Sequence, residues 1–214
     1  TLDAGSVAIL QRGCSALGLE FSAQQYRQLT EYLDLLVRWN KAYNLTAVRR
    51  PEDMVVRHLL DSLAIAAYLP AGRLIDVGTG AGLPGVPLAI AMPQHDFHLL
   101  DSNGKKTRFL FQVKTALGLD NMTSHHARVE AHHPDQLLDA VLSRAFASLE
   151  DMVRGCRHLL TTQGRFFAMK GAYPEDELTG VETLCEIHAV HPLEVPGLGE
   201  QRHLVELKLR PDRA

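Results

Sequence analysis

The sequence predicts an α/β fold in which a mostly parallel sheet carries an N-terminal helical extension and a C-terminal antiparallel hairpin. The first third of the chain has the apolar spacing of helices, whereas from residue 73 short apolar strands alternate with amphipathic helices. That alternation is typical of a parallel sheet with right-handed crossovers. The last two apolar segments alternate in polarity and flank "PGLGEQ", as the strands of a hairpin do. We expect an extension over residues 1–70 and a core domain over residues 71–214.

Composition restricts the class of protein. The chain has 214 residues, 46% of them hydrophobic, which is enough for one sizeable core. Its net charge of -3 argues against a protein that simply coats nucleic acid, so any such contact must come from a local basic patch. No segment approaches the roughly 18 to 20 apolar residues of a membrane span, and the start "TLDAGSVAIL" lacks the basic region of a signal peptide. Three widely spaced cysteines indicate reduced thiols. We therefore expect a cytoplasmic protein with no membrane association. We also expect a monomer, although none of these observations specifies the oligomeric state.

Two helices are predicted in the extension. The segment "FSAQQYRQLTEYLDLLVRWN" begins at Ser22 with Gln25 three residues later, which is the signature of a capping box. Phe21 and Tyr26 flank the cap as a hydrophobic staple does. A second helix is predicted from about residue 52 to residue 68, with its apolar residues facing inward.

The core domain has five predicted strands before the hairpin. Their sequences are "RLIDVG", "DFHLLD", "NMTSHH", "LDAVLSRA" and "GRFFAMKG". The helices between them are one that Pro84 opens and that runs to about residue 92, then "GKKTRFLFQVKTALG" and "LEDMVRGCRHLL". The hairpin strands are "CEIHAVHPLEV" and "RHLVELKLR".

A glycine-rich turn, "LIDVGTGAGLPG", joins the first strand to the first core helix. No Lys-Ser/Thr pair follows the glycines, so the turn is not a phosphate-binding P-loop. Gly78 and Gly80 match the first half of a dinucleotide fingerprint, but Leu83 stands at its third position and Gly82 falls one residue early. A ligand without a pyrophosphate does not need that third glycine. The turn therefore indicates a nucleoside ligand of another kind.

Two carboxylates accompany this turn. Asp76 precedes the glycines, where it would repel a phosphate but could hold an ammonium group, and Asp101 ends the second strand, where an acidic residue can bind ribose hydroxyls. A nucleoside with a cationic amino-acid tail meets both conditions, and S-adenosylmethionine is such a ligand. The alternative is that both carboxylates only cap helices or hold loops.

Several motifs together resemble one protein family. The segments "RWNKAYNLTAVR", "VRHLLDSL", "LIDVGTGAGLPGVPLAI", "LLDSNGKKTRFL", "ARVE", "LSRAFASL" and "GRFFAMKG" are similar to those of the bacterial small-subunit rRNA guanine-N7 methyltransferases, also called glucose-inhibited division protein B. The resemblance covers about residues 26 to 210. It implies a Rossmann-like fold that transfers a methyl group from S-adenosylmethionine to N7 of a specific guanine in 16S rRNA, with the rRNA or the small ribosomal subunit as partner. It also implies that the cofactor site includes Gly78, Leu83, Val129, Glu130 and Arg144.

Two motifs of other nucleic-acid methyltransferases are absent from the sequence, and their absence agrees with methylation at guanine N7. Neither the Asn-Pro-Pro-aromatic motif of amine methyltransferases nor the nucleophilic cysteine of cytosine-C5 enzymes follows the fourth strand. Guanine N7 has an in-plane lone pair and no proton to remove, so alignment and electrostatics would supply the acceleration. We therefore predict no catalytic base. Arg144 and Lys170, at strand ends on the expected active face, are the candidate catalytic residues.

Basic residues of the extension are candidates for RNA contact. Phosphates could be held by Lys41, Arg49, Arg50, Arg57 and His58, although a solvated surface is the alternative for each. We interpret "KKTR" at 105 to 108 as a solvated helix face, and Trp39 and Tyr43 as packing residues rather than base-stacking ones. The histidine pairs at 125–126 and 132–133 do not predict a metal site, because neighbouring residues on a strand point to opposite faces.

Two other functions stay open from the sequence. One is a methyltransferase for a small molecule or a protein. Such an enzyme would cover the opening of its active site with an apolar lid, whereas an RNA methyltransferase would have basic residues around that opening. The other is a protein of the cell-division apparatus that binds the cofactor without turnover. The sequence does not specify the nucleotide, nor whether naked rRNA, an assembly intermediate or the mature subunit is the substrate.

Overall fold

A computed structural model describes residues 2–211. Its helices are α1 (Ala4–Ala16), α2 (Ala23–Tyr43), α3 (Pro51–Met54), α4 (Asp61–Leu63), α5 (Gly85–Ala91), α6 (Gly104–Leu117), α7 (Leu149–Cys156) and α8 (Glu175–Val181). A π-helical stretch, Val55–Leu60, joins α3 to α4. The strands are β1 (Arg73–Val77), β2 (Asp96–Asp101), β3 (Met122–His126), β4 (Leu138–Ser143), β5 (Leu160–Lys170), β6 (Cys185–Leu193) and β7 (Arg202–Leu209).

The sheet confirms the predicted α/β class. Its seven strands lie in the order β3-β2-β1-β4-β5-β7-β6. The first five are mutually parallel, whereas β7 runs antiparallel between β5 and β6. The strand order reverses between β1 and β4, and ligands of open α/β sheets bind at such a reversal, beyond the carboxyl ends of the strands.

The start of α2 confirms the predicted cap. The Ser22 hydroxyl accepts a hydrogen bond from the Gln25 backbone N–H at 3.2 Å, and the Gln25 side chain accepts one from the Ser22 N–H at 2.9 Å. The rings of Phe21 and Tyr26 pack edge to face with centroids 5.7 Å apart, so the hydrophobic staple is present as well.

The extension shares a hydrophobic core with one face of the sheet. One continuous buried cluster includes Leu29 and Leu36 of α2, Phe109 of α6 and Leu74 and Phe97 of the strands. The Trp39 ring packs 5.5 Å from that of Phe109, which fits the predicted packing role. A second cluster covers the other face under α7 and α8. Because the first cluster spans both parts, the first 70 residues have no separate core.

Some local details differ from the sequence prediction. The helix expected over about 52 to 68 contains the π-helical turn and ends in a 3-10 turn, Ala66–Tyr68. Helix α5 starts at Gly85, and Pro84 is its cap rather than its first residue. We did not predict α1 or the short α8 as separate helices from the sequence. Within residues 2–211, no helix is long and apolar enough to cross a bilayer, and no group of three or more His, Cys, Asp or Glu side chains is arranged to hold a metal.

Candidate functional site

The turn after β1 is held against the end of β2 by backbone hydrogen bonds. The N–H groups of Gly78 and Thr79 both donate to the Leu100 carbonyl, at 2.9 and 3.1 Å. Asp101 accepts from the Gly80 N–H at 2.8 Å and, through its other oxygen, from the Asn103 N–H at 2.9 Å. Asp101 therefore shapes the turn, and each of its oxygens retains a lone pair for a ligand hydroxyl.

Asp76 lies beneath the same turn and is fully buried. Its Oδ2 atom accepts hydrogen bonds from the Thr79 hydroxyl at 2.6 Å and from the Gly85 N–H at 2.9 Å. Its Oδ1 atom is buried without a hydrogen-bond partner among the described residues. Burial, only partly offset by these hydrogen bonds, raises the pKa of Asp76 to about 7. Asp76 therefore holds the loop, which is the alternative that the sequence left open. Its Oδ1 atom is unpaired but buried, and Asp76 lines neither of the cavities described below.

Gly78 occupies a position where only glycine fits. Its φ angle is +70°, and a Cβ atom there would lie 2.5 Å from the Cβ of Ala145, which follows β4. The backbones of the two loops can approach this closely because Gly78 has no side chain. The approach brings the β1 and β4 loops together at the reversal of strand order.

One cavity of about 200 Å3 opens on the β2 side of Gly78. Four predicted cofactor residues, Gly78, Asp101, Val129 and Glu130, line it together. The rest of its wall is formed by Val77, Leu100, Ser102, Ala127, Arg128, Ala145 and Phe146. These residues lie inside motifs that carry the family resemblance, but we predicted no site role for them.

A second cavity of about 250 Å3 opens on the other side of Gly78. It shares Gly78 and Ala145 with the first, so the two cavities adjoin across these residues. Its lining comes from the turn, from the β4 loop and from the extension: Leu45, Thr46, His58, Thr79, Gly80, Ala81, Leu83 and Arg144. Among the predicted cofactor residues, Asp76 and Gly82 are outside both linings. The φ of +100° at Gly82 and its close approach to Val86 and Leu110 give it a packing role.

His58 is buried in this second cavity, with only 4% of its surface exposed. Its Nε2 lies 2.8 Å from the Thr46 hydroxyl, which also accepts a hydrogen bond from the Val48 N–H. Burial lowers the pKa of His58 to about 4, so the ring is neutral at pH 7. A neutral, buried ring does not favour contact with an RNA phosphate, and that role of His58 stays a prediction. Its helical spacing from Met54 already placed it on the inward face.

Arg144 leaves the carboxyl end of β4 and lines the second cavity while remaining exposed. Among the described residues, its guanidinium has no hydrogen bond and no ion pair. Its positive charge favours the ionised form of Asp76 and the neutral form of His58. Arg144 is thus a cation at the cavity mouth whose five N–H donors are open to a ligand.

Lys170, the other candidate catalytic residue, lines neither cavity. Its ammonium lies 2.8 Å from Glu177 of α8 and 3.4 Å from the Phe146 carbonyl. Glu177 also accepts a hydrogen bond from the Leu149 N–H at 3.1 Å. These contacts support the loop that carries Arg144 and Phe146. A catalytic role for Lys170 stays a prediction, and its contacts are those of a positioning residue.

The predicted RNA-binding cations of the extension differ in their partners. Arg57 forms a two-bond ion pair with Glu200, and Arg50 contacts Glu52. Arg49 donates to the Asn44 side chain at 3.3 Å, and Lys41 is exposed on α2. Of these four surface cations, Arg57 and Arg50 are thus already paired with the carboxylates of Glu200 and Glu52. RNA contact stays a prediction for these residues.

Comparison with known proteins identifies the family. A model of the rRNA small subunit methyltransferase G family matches residues 25–205. The chain belongs to the rRNA small subunit methyltransferase G family. Proteins named ribosomal RNA small subunit methyltransferase G from Alteromonas mediterranea and Pseudomonas aeruginosa are 52% and 53% identical to it over 200 residues. The first alignment covers 94% of this chain and 95% of the relative, and the second covers 93% and 94%. The relative from Hahella chejuensis is 48% identical over 205 residues, covering 96% of this chain and 94% of that protein.

Solved structures place the rRNA small subunit methyltransferase G fold among the methyltransferases. The glycopeptide N-methyltransferase MtfA in complex with S-adenosylmethionine superposes with a TM-score of 0.61 at 12% identity, covering 72% of this chain and 87% of that one. A SAM-dependent methyltransferase from Aquifex aeolicus superposes with a TM-score of 0.56 at 15% identity, covering 71% and 91%. At these identities the likeness concerns the fold.

Proposed function

We propose that this protein transfers a methyl group from S-adenosylmethionine to N7 of a specific guanine in 16S rRNA, acting as a monomer in the cytoplasm. The observation that carries the proposal is the pair of cavities that adjoin at Gly78 and Ala145 in a chain of this family. A cofactor and an acceptor base need two such compartments, with the transferred group passing between them.

The first cavity suits the nucleoside end of the cofactor. Asp101 offers carboxylate oxygens to the ribose hydroxyls, while Val129 and Glu130 border the space for the adenine. The bare backbone at Gly78 leaves room for the ligand to pass the turn. The buried Oδ1 of Asp76 is an acceptor suited to the ammonium group of the amino-acid tail. When bound, S-adenosylmethionine supplies an electrophilic methyl group on a sulfonium centre.

The second cavity suits the acceptor guanine. Its N7 lone pair attacks the methyl carbon without loss of a proton, so the residues here need to orient the base rather than deprotonate it. Methylation moves a positive charge onto the guanine. Neutral His58 adds no opposing charge beside that cation. Arg144 can donate to guanine O6, to a phosphate or to the cofactor carboxylate, and leaves N7 to react.

Substrate RNA would approach the mouth of the second cavity, where Arg144 is an exposed cation for a phosphate. Arg49 and Lys41 are further exposed cations on the extension. A small-molecule enzyme would instead cover this mouth with apolar side chains, so the exposed Arg144 favours a nucleic-acid substrate.

Labelled methyl transfer tests the proposal. The protein is incubated with methyl-labelled S-adenosylmethionine and, separately, with naked 16S rRNA, partly assembled small subunits and mature small subunits. We expect label in rRNA that is released as 7-methylguanine, at one nucleotide. Cofactor binding with no label in any of the three RNAs would overturn the proposal in favour of a protein that binds the cofactor without turnover.

A further inference from the structure

Tyr32 connects the extension to the glycine-rich turn. It lies on α2, is completely buried, and its hydroxyl donates a hydrogen bond of 2.7 Å to the Ala81 carbonyl. Ala81 is itself 5% exposed and belongs to the wall of the second cavity. A buried hydrogen bond of this kind is costly to break, because the carbonyl would be left without a partner.

The other hydrogen bonds that hold this turn within residues 2–211 come from the core domain. Leu100 and Asp101 hold its first half from β2, and Asp76 holds it from beneath. Tyr32 reaches the turn from the opposite direction, 49 residues away along the chain. The turn is therefore fixed between the sheet and α2.

The Tyr32 side chain is itself held in place. Its ring lies 6.3 Å from that of Phe109 on α6, and the next residue of α6, Leu110, packs against the turn at Gly82. Burial raises the pKa of the Tyr32 phenol, so the hydroxyl stays protonated and remains a donor. A fixed ring and a permanent donor are the properties required of a residue that holds a loop.

We propose that Tyr32 is a positioning residue for the cofactor, and that the extension is a structural part of the cofactor site rather than only a surface for RNA. By holding Ala81, Tyr32 fixes the turn next to Gly80, whose N–H group donates to Asp101 in the wall of the first cavity, and close to Gly78, which both cavities share. The inference rests on the proposed cofactor site but does not depend on which substrate receives the methyl group.

Tyr32→Phe removes only the hydroxyl and tests this role. We expect the affinity for S-adenosylhomocysteine, measured by calorimetry without RNA, to fall by roughly tenfold, the usual scale for leaving a buried acceptor unpaired. The KM for S-adenosylmethionine should rise as well. Amide hydrogen exchange at Gly80 to Leu83 should become faster.

Tyr26→Phe is the matched control, because Tyr26 lies on the same helix and packs on Phe21 rather than on the turn. It should leave cofactor affinity and turn exchange unchanged. If Tyr32→Phe lowers the melting temperature but leaves the affinity for S-adenosylhomocysteine intact, Tyr32 is only a core residue and the inference is wrong. If its affinity falls while the parent protein fails to methylate any rRNA, the positioning role stands and the proposed acceptor is wrong.

Discussion

Gly78 and Ala145 approach each other so closely that a single methyl group at residue 78 would lie 2.5 Å from the Cβ of Ala145. The two residues belong to loops after β1 and β4, which are neighbouring strands in the sheet but distant in sequence. They are also the two residues that both cavities share. The point where the cavities meet thus depends on the missing side chain of one glycine.

Gly78→Ala should abolish measurable cofactor binding. The new Cβ either collides with Ala145 or separates the two loops, and alanine at a φ of +70° adds about 1 to 2 kcal/mol of backbone strain. Calorimetric titration with S-adenosylhomocysteine measures the loss. The double variant Gly78→Ala, Ala145→Gly should regain part of the affinity, because it removes the partner in the collision.

Gly118→Ala is the control for backbone strain. Gly118 ends α6 with a φ of +65°, and a Cβ atom there would meet nothing within 4 Å. This variant should lose only the roughly 1 to 2 kcal/mol of backbone strain and keep its affinity for the cofactor. Equal loss of affinity in both variants would mean that strain, rather than the contact with Ala145, is responsible.

Asp76 should make cofactor binding depend on pH. Burial raises the pKa of its carboxyl to about 7 in the folded protein, so ionisation is incomplete at neutral pH without ligand. If the ammonium group of the ligand binds the carboxylate, affinity for S-adenosylhomocysteine should increase from pH 6 to pH 8. Asp76→Asn should flatten this profile, and a parallel rise in the variant would assign the titration to another group.

The same carboxyl should contribute to the pH dependence of stability. Its folded pKa is raised above the unfolded value of 3.8, so its contribution to folding is greatest below about pH 4 and is lost as the pH rises through about 7. Urea unfolding of Asp76→Asn should therefore show a gain in stability relative to the parent protein as the pH rises from 4 to 8. A constant difference would contradict the raised pKa.

Methyl transfer itself should not require a histidine base. His58 lies in the acceptor cavity but is neutral above its pKa of about 4, and N7 has no proton to give up. Single-turnover rates at saturating cofactor should lack a steep rise between about pH 6 and 8. A rise that disappears in His58→Gln would show that His58 accepts a proton after all.

Arg144 and the cations of the extension should affect different steps. Arg144→Ala should lower the methylation rate at saturating RNA by about tenfold or more, the scale of a lost hydrogen bond to a charged group. Lys41→Ala and Arg49→Ala should weaken RNA binding and each reduce its salt dependence by about one unit of slope.

Arg57→Ala provides an internal comparison for those RNA measurements. Glu200 already compensates the Arg57 charge, so its loss should change the salt slope less than the loss of Lys41 or Arg49. None of the three should alter cofactor affinity. Intact RNA affinity and salt slope in Lys41→Ala and Arg49→Ala would leave the extension with a structural role alone.

Most of the fold could be predicted because its elements carry strong local signals. The spacing of residues in the sequence predicts the apolar face of α6 and the Ser22 cap of α2, and the structure contains both. Helix α8 has only seven residues and begins with three consecutive acidic ones, so its apolar face rests on Leu178 and Val181 alone. Such a short helix is stabilised by its packing rather than by its own sequence.

The site was harder to predict because burial and pairing are properties of the folded chain. The motifs identify the residues around Gly78, but the ion pair of Lys170 with Glu177 depends on where α8 lies. The contact between Tyr32 and Ala81 gives no signal in sequence, since tyrosine at that helical position reads as an ordinary core residue. The burial of His58 is an exception, because its spacing of four residues from Met54 in the sequence already indicates the inward face of the helix.

The shared core of the extension and the sheet bears on how the protein is made. Leu29 and Leu36 of α2 belong to the same buried cluster as Leu204 of β7, so this core is built from segments far apart in the chain. During translation, α2 is synthesised long before β7. Chains terminated before β7 lack part of the cluster, and incompletely packed apolar surface favours aggregation. Completion of translation is therefore a condition for closing the core.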